Sequence, residues 1–283
     1  MASFTNFATL SYNGGTTNSN IVTGEILEAL TAVKTAVSAN YSAGDRITYA
    51  LSLVNTGTAA ITDYTVTDNL GGYTVGANTV YPLAYNAGTV RYYINGVLQT
   101  APTVTAGPPL TVTGLTVPAG GSAVLIYETT ATPVAPLATG SSITNTATIT
   151  GGGLTNPITA QATVDTANSA ELSISKALSP TTVTENGQIT YTFVISNSGN
   201  TEATATGNVV VTDTFAPILR NIAVTYNGTA WTEGTNYTYN AATGVFTTLA
   251  GQITVPAATF TQNTDGTFTV TPGTATLVIT GTV

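Results

Sequence analysis

The sequence predicts an all-β protein: two tandem immunoglobulin-like β-sandwiches, the second incomplete and completed by a donor hairpin from another subunit. Three observations carry that expectation. The composition suits strands, a domain-sized segment occurs twice, and the first two dozen residues copy a piece that the second repeat lacks.

The composition sets the limits. The chain has 283 residues, enough for two domains with cores of their own. Charged residues make up 6% and hydrophobic residues 42%, and threonine is about a fifth of the chain. Threonine and valine are β-branched and fit a pleated strand better than a helix. Low charge with this much apolar content is unlike a disordered chain. The formal net charge is −8 with five basic residues, so no basic patch can form for nucleic acid or an anionic membrane. Cysteine and histidine are absent. That removes disulfides, thiolate nucleophiles, Ser-His-Asp triads and ordinary zinc sites. No cofactor or metal is expected; the acidic linker Asp165 to Glu171 is a weak candidate for calcium, without EF-hand spacing. No apolar run approaches the length of a membrane span. MASFTNFATL has neither the basic start nor the apolar run of a secretory leader. The expectation is therefore a chain that reaches the cell exterior or a spore surface by release on lysis.

The repeat defines the organisation. AVKTAVSANYSAGDRITYALSLVNTG, from Ala32, matches SISKALSPTTVTENGQITYTFVISNSG, from Ser173. Lys34 to Tyr49 and Lys176 to Tyr191 are both 15 residues apart, and Lys34 to Asn55 and Lys176 to Asn197 both 21. YTVTDNL (Tyr64 to Leu70) matches VVVTDTF (Val209 to Phe215). Next, YYINGVLQT and VTYNGTAWT match around Asn-Gly turns, and VPAGGSAVLIYE matches VTPGTATLVIT. Each copy reads as short alternating strands broken by Gly, Asn, Asp and Pro, the pattern of an antiparallel sandwich.

The two copies end differently. The first runs on through SITNTATITGGGLTNPITAQATV, which reads as a hairpin with a Gly-rich turn. The second stops at Val283, and the corresponding piece stands at the front as SFTNFATLSYNGGTTNSNIVTGE. Ser3, Thr5, Asn6, Ala8 and Thr9 match Ser142, Thr144, Asn145, Ala147 and Thr148, and Thr17 and Asn18 match Thr155 and Asn156. The expected division is a donor hairpin over 1–24, a complete sandwich over 25–167 and an acceptor sandwich over 168–283 that lacks its last two strands. About ten residues separate Thr23 from Val33, a reach of at most roughly 35 Å and about the width of one domain. The hairpin is thus expected to complete another subunit, with Phe4, Asn6, Ala8, Leu10, Ile21 and Val22 as donor residues. Such a contact is head-to-tail and propagates as a homopolymer.

Lys34 and Lys176 are the two lysines of the chain, at equivalent positions. A buried lysine amine can attack an asparagine side-chain amide when the amine is neutral and a protonated carboxyl polarises the carbonyl. Fixed contact between the three groups replaces a chance encounter, and one ammonia leaves. Asp68 and Asp213 also recur at one position, as do Asn145 and Asn6. The sequence points to a Lys34–Asn145 isopeptide bond with Asp68 as catalyst. In the second copy, Lys176 and Asp213 would act on Asn6 of the next subunit. Asp68 and Asp213 are catalytic in this self-modification alone. Glu128 is a rival acid, but its counterpart is Thr280. The first and closing strands are expected to be neighbours. Without such bonds, the Lys and Asp residues form ordinary ion pairs.

Lys34, Tyr49, Val54 to Gly57, Val66 to Asp68 and Thr144 to Thr148 carry a resemblance to a bacterial conserved-repeat surface domain family, domain of unknown function eleven. The resemblance spans one complete and one permuted copy. It implies a stalk or fibre on a bacterial surface. Similar Gram-positive pilin and adhesin domains carry Lys–Asn isopeptide bonds with an acidic catalyst, which implies those roles for Lys34, Asn145 and Asp68.

Two other function classes fit the sequence less well. The 13 acidic residues are scattered, and Asp63 and Asp68 flank one predicted strand, so an enzyme acting on an external substrate is not expected. Tyr81, Tyr85, Tyr92 and Tyr93, and Tyr226, Trp231, Tyr237 and Tyr239, could serve a glycan- or protein-binding adhesin or stalk module. Strand and core roles at hairpins explain them more simply.

Overall fold

A computed structural model of the protein describes residues 2–26 and 29–283. It divides into two units. Unit 1 takes in the chain up to Ala135 together with Ser142–Asp165, and unit 2 joins Pro136–Ser141 to Thr166–Val283. Both are β structures, and a single-turn 3-10 helix at Ala205–Gly207 is the helical element among the described residues.

Unit 1 is a sandwich of two antiparallel sheets. The first orders its strands Val97–Leu98, Arg91–Ile94, Ser122–Ala131, Arg46–Asn55 and Leu30–Ala36, with Leu83–Tyr85 also on Ser122–Ala131. The second runs Thr103–Thr105, Leu110–Val117, Ile61–Asp68, Ser142–Gly151, Ile158–Thr166 and Asn40–Tyr41. A strand that covers a core with one face must alternate. Arg46–Asn55 buries Ile47, Tyr49, Leu51 and Leu53, and Ser142–Gly151 buries Ile143, Asn145, Ala147 and Ile149. The residues between them are exposed or half-buried.

Unit 2 repeats the first of these sheets and truncates the second. Leu172–Ser179, Gln188–Asn197, Gly273–Thr282, Arg220–Tyr226 and Thr229–Trp231 form one sheet. Facing it are three short strands, Thr212–Thr214, Val245–Thr248 and Tyr237–Asn240. Its core gathers Ile189, Phe193, Phe215, Phe246, Leu277 and Ile279. In unit 1 the strand Ile61–Asp68 lies between two neighbours. Its counterpart Thr212–Thr214 pairs with Val245–Thr248 and stands at the edge of its sheet. The kinship is visible in the backbone, since Asp63 and Asn208, five residues before Asp68 and Asp213, both take positive φ, 57° and 51°.

The N-terminal segment is one hairpin interrupted at its middle. Ala2–Asn6 pairs with Val22–Ile26, and Thr9–Tyr12 with Gly15–Asn18. Phe4, Ala8, Leu10, Ile21 and Val22 are all exposed, Leu10 at 65%, and Ile21 directly precedes the last of these strands. The sequence match of Thr17 and Asn18 to Thr155 and Asn156 does not hold in space. Asn18 pairs with Thr9 as Thr159 pairs with Thr148, so Asn18 takes the place of Thr159. The reason is the turn. Asn13-Gly14 has φ of 48° and 83°, which closes the hairpin in two residues, whereas unit 1 spends residues 152–157 there. The side chains compensate too. The Phe4 ring covers Gly24 so closely that a Cβ there would lie 2.4 Å from it, whereas unit 1 pairs Ile143 with Val164.

Each unit is pinned by one buried asparagine after its long second strand. Asn55 donates from Nδ2 to the Ala59 and Pro118 carbonyls (2.8 and 3.1 Å) and accepts from Gly57 N–H. Asn197 donates to Thr201 and Pro256 (2.7 and 3.0 Å) and accepts from Gly199 and Glu171 N–H. Replacing Asn197 by Ala orphans these groups. The expected loss in unit 2 is roughly 1–3 kcal/mol for each group left unsatisfied, read from urea denaturation, with Asn55→Ala doing the same to unit 1.

Candidate functional site

In unit 1 three expected residues lie buried on the inner faces of the two sheets, and two of them, Lys34 and Asp68, meet. Lys34 sits on Leu30–Ala36, opposite Leu51, and turns inward. Asp68 ends Ile61–Asp68 opposite Ala147, and Asn145 lies two residues along from Ala147 on the same buried face. Asn69 fixes this placement: its N–H donates to the Thr146 carbonyl and its side-chain oxygen accepts from Thr146 N–H, each at 2.9 Å. The first and closing strands are therefore not side by side, as the sequence suggested. They belong to opposite sheets, and the Lys34 side chain spans the layer between them to reach Asp68.

Lys34 Nζ lies 2.5 Å from Asp68 Oδ2, and the pair is essentially sealed from solvent, at 0% and 1% side-chain exposure. The Tyr127 hydroxyl donates to the same oxygen, and Leu70 N–H donates to Asp68 Oδ1 at 3.0 Å. Nζ also stands over the Tyr49 ring, 4.8 Å from its centre, and 5.9 Å from that of Tyr127. Burial lowers the Lys34 pKa from 10.5 to about 8, with Asp68 partly opposing the shift. The neutral amine that a nucleophile requires is thus far more accessible near neutral pH than in an exposed lysine. Burial pushes the Tyr49 and Tyr127 phenols well up, so both stay protonated. Asn145 is fully buried, and neither atom of its amide has a hydrogen-bond partner. A buried amide left unsatisfied costs on the order of 1–3 kcal/mol per group and calls for an explanation. Glu128, the rival acid, turns outward and meets Arg46 at 3.5 Å on the surface.

Unit 2 holds two of the equivalent groups. Lys176 Nζ lies 2.5 Å from Asp213 Oδ2, but their side chains are 39% and 18% exposed. Nζ is 4.4 Å from the Tyr191 ring centre, with Phe193 and Phe215 beyond. Leu172–Ser179 is exposed along its whole length, whereas its counterpart buries Leu30 and Lys34. Beside it opens a cavity of about 190 Å³ lined by Leu172, Ile174, Ile195 and Val209 to Val211. Asn6, the expected third member, lies in the N-terminal hairpin, exposed and opposite Val22.

Two phenols at the unit 1 centre, Tyr49 and Tyr127, escaped sequence reasoning. Tyr49 carried a signal, since Tyr191 repeats it. Tyr127 did not, because Ile279 stands in its place. Of the aromatic residues considered for ligand binding, Tyr92, Tyr226 and Tyr237 are buried, and Tyr226 stacks on Trp231. Among the described residues no cluster of acidic side chains could hold a metal ion, and no helix is long and apolar enough to cross a membrane.

No family model matches the chain, so its resemblance to the conserved-repeat surface domain rests on the motifs. No curated protein matches it either. Solved structures of similar fold include the N-terminal domain of a Streptococcus gordonii adhesin, at 15% identity over 47% of this chain and 31% of that one (TM-score 0.35). The major pilin subunit of Bacillus cereus is similar at 14% identity over 96% of this chain and 73% of that one (TM-score 0.36). The pilus backbone of Streptococcus pneumoniae is similar at 14% over 86% and 55% (TM-score 0.36). The chain spans about a third of the first relative's length and about half of the last.

The Lys34 environment sets a pH dependence. Its lowered pKa means that between about pH 8 and 10.5 the unfolded chain binds more protons than the folded one, so stability rises with pH. The buried tyrosines act oppositely above pH 10, where they ionise once unfolded. In an Asn145→Ala chain, which keeps the amine free, unit 1 should gain stability from pH 8 to 10, by about 1.4 kcal/mol per pH unit at most. Lys34→Met in that background should flatten the slope in chemical denaturation.

Proposed function

We propose that the protein is a structural subunit of an extracellular or spore-associated fibre, assembling head-to-tail by strand donation. The N-terminal hairpin of one copy completes unit 2 of another. The observation that carries this reading is the inner face of the hairpin. Phe4, Asn6, Ala8 and Leu10 repeat Ile143, Asn145, Ala147 and Ile149 position by position, and unit 2 leaves open the edge that this strand covers in unit 1.

Unit 1 supplies the register. Ala147, Thr148, Ile149, Thr150 and Gly151 pair with Asp68, Thr67, Val66, Thr65 and Tyr64. In the same register Ala8 faces Asp213, Thr9 faces Thr212, Leu10 faces Val211, and Ser11 and Tyr12 face Val210 and Val209. Docking then buries Phe4, Leu10 and Val22 together with Ile174, which stands 55% exposed. Burying each large apolar side chain contributes roughly 1.5–3 kcal/mol, and the ladder bonds set direction. The two contacting surfaces differ, so the assembly grows as a filament unless a ring closes.

The same register sets Asn6 beside Asp213 and Lys176. Covering the site excludes water from the amine and favours its neutral form. Lys176 Nζ attacks Asn6 Cγ, one C–N bond forms, the amide C–N bond breaks, and ammonia leaves with the proton relayed by Asp213. Lys34, Asp68 and Asn145 perform the same reaction within unit 1.

A boiled denaturing gel of the purified protein, with intact mass on each band, tests this reading. The expected result is a ladder of covalent multimers, each lacking ammonia. Deleting residues 1–20 should abolish filaments, and persistent filaments would sink strand donation. Lys176→Ala should leave filaments that dissolve in hot detergent. If the parent filaments already dissolve, the intersubunit bond does not exist.

A further inference from the structure

The unit 1 centre holds a second unsatisfied group. The Tyr49 side chain is fully buried, and its hydroxyl has no hydrogen-bond partner, like both amide atoms of Asn145. The Asn145 amide lies near both phenols of the centre, since it opposes the upward shift of Tyr49 and of Tyr127 alike. Lys34 Nζ lies over the same ring. Tyr127, the other phenol, already donates its proton to Asp68 Oδ2. Two unpaired polar groups side by side in a dry core are costly at rest, and the arrangement makes sense if their partner appears during a reaction. The second copy sharpens the assignment. Tyr191 occupies the position of Tyr49 under Lys176 Nζ, whereas Tyr127 is replaced by Ile279.

We propose that Tyr49 is a catalytic hydrogen-bond donor to the Asn145 carbonyl oxygen during isopeptide formation, and that Tyr191 serves Asn6 of the next subunit in the same way. The inference rests on the isopeptide reading above. As Lys34 Nζ attacks Asn145 Cγ, the carbonyl π pair moves onto Oδ1, and the Tyr49 hydroxyl hydrogen-bonds that developing oxyanion. Collapse restores the carbonyl and expels ammonia, which takes its proton from the attacking nitrogen through Asp68. Tyr49 ends as it began, so atoms and charge balance without a further reactant. A preorganised donor in a water-excluded site acts more strongly on a developing charge than on a neutral amide. Tyr127 holds Asp68 and tunes the unit 1 centre alone.

The test is carried out on the full chain carrying Asn6→Ala, so that each molecule has one reacting centre. Freshly synthesised protein is sampled over time by intact mass in denaturant. With Tyr49 present, the mass should fall by one ammonia. Tyr49→Phe should slow that loss by roughly 100-fold or more, the effect of removing one such donor. An unchanged rate overturns the proposal. If ammonia is never lost even with Tyr49 present, the isopeptide reading itself fails, and the proposal with it. Melting of Tyr49→Phe in an Asn145→Ala background separates chemistry from folding. The removed hydroxyl has no partner, so the melting temperature should hold, and a clear drop assigns the slowed reaction to misfolding and overturns the role. In chains with Asn6 intact, Tyr191→Phe should likewise slow the appearance of the covalent ladder while leaving detergent-soluble filaments.

Discussion

A β-sandwich holds together only when both sheets present a covered inner face and no apolar edge is left open to water. In unit 1 the strand Ser142–Gly151 meets both demands. It pairs with Ile61–Asp68 on one side and Ile158–Thr166 on the other, and it lays Ile143, Asn145, Ala147 and Ile149 on the core. Around it the opposite strand extends to eight residues, and Lys34 and Asp68 are sealed from water. In unit 2, which lacks an equivalent neighbour, the matching strand shrinks to three residues and the equivalent lysine is partly wet. One strand thus governs backbone order, core burial and the state of the ionisable groups together. An unpaired edge with apolar residues beside it is adhesive by nature, and the chain carries a matching strand at its other end.

The Lys34–Asp68 pair is poor evidence for stability in itself, because taking two charges out of water costs more than most pairs return. Its retention beside an unsatisfied amide and an unsatisfied phenol reads instead as a site arranged for chemistry. The internal comparison adds weight that a single site could not. Both copies keep the lysine, the aspartate and the tyrosine beneath the amine, while the surrounding apolar residues vary freely: Leu51 becomes Phe193, Leu70 becomes Phe215 and Tyr127 becomes Ile279.

Much of this was legible in the sequence because a repeat exposes its own exceptions. Equal spacings from Lys34 and Lys176 identified the two copies and the lysine–aspartate pairs. What stayed hidden depended on three-dimensional packing. That the first and closing strands lie in opposite sheets follows from sheet topology, which alternation alone does not encode. The two-residue turn at Asn13-Gly14 shifted the tip pairing, although the residues favoured such a turn, because letter matching at Thr17 and Asn18 spoke for the longer alignment. The exchange of Ile143 and Val164 for Phe4 and Gly24 sets a large ring over a residue with no side chain, so neither position looks alike by itself. Tyr49 became noticeable once its hydroxyl was found buried without a partner.

The placement of Lys34 and Asn145 also decides how such a molecule bears load. In the proposed fibre, tension would enter unit 1 through Leu30–Ala36, the first strand of its sandwich, and leave through Ile158–Thr166, the last long strand. Lys34 stands on the entering strand, and Asn145 on the strand hydrogen-bonded to the leaving one. The proposed covalent link between them would carry force straight across the core, and the intervening chain, with most of both sheets, would not be stretched. A fibre cross-linked in this way would resist pulling as an inextensible tether rather than as a series of unfolding springs.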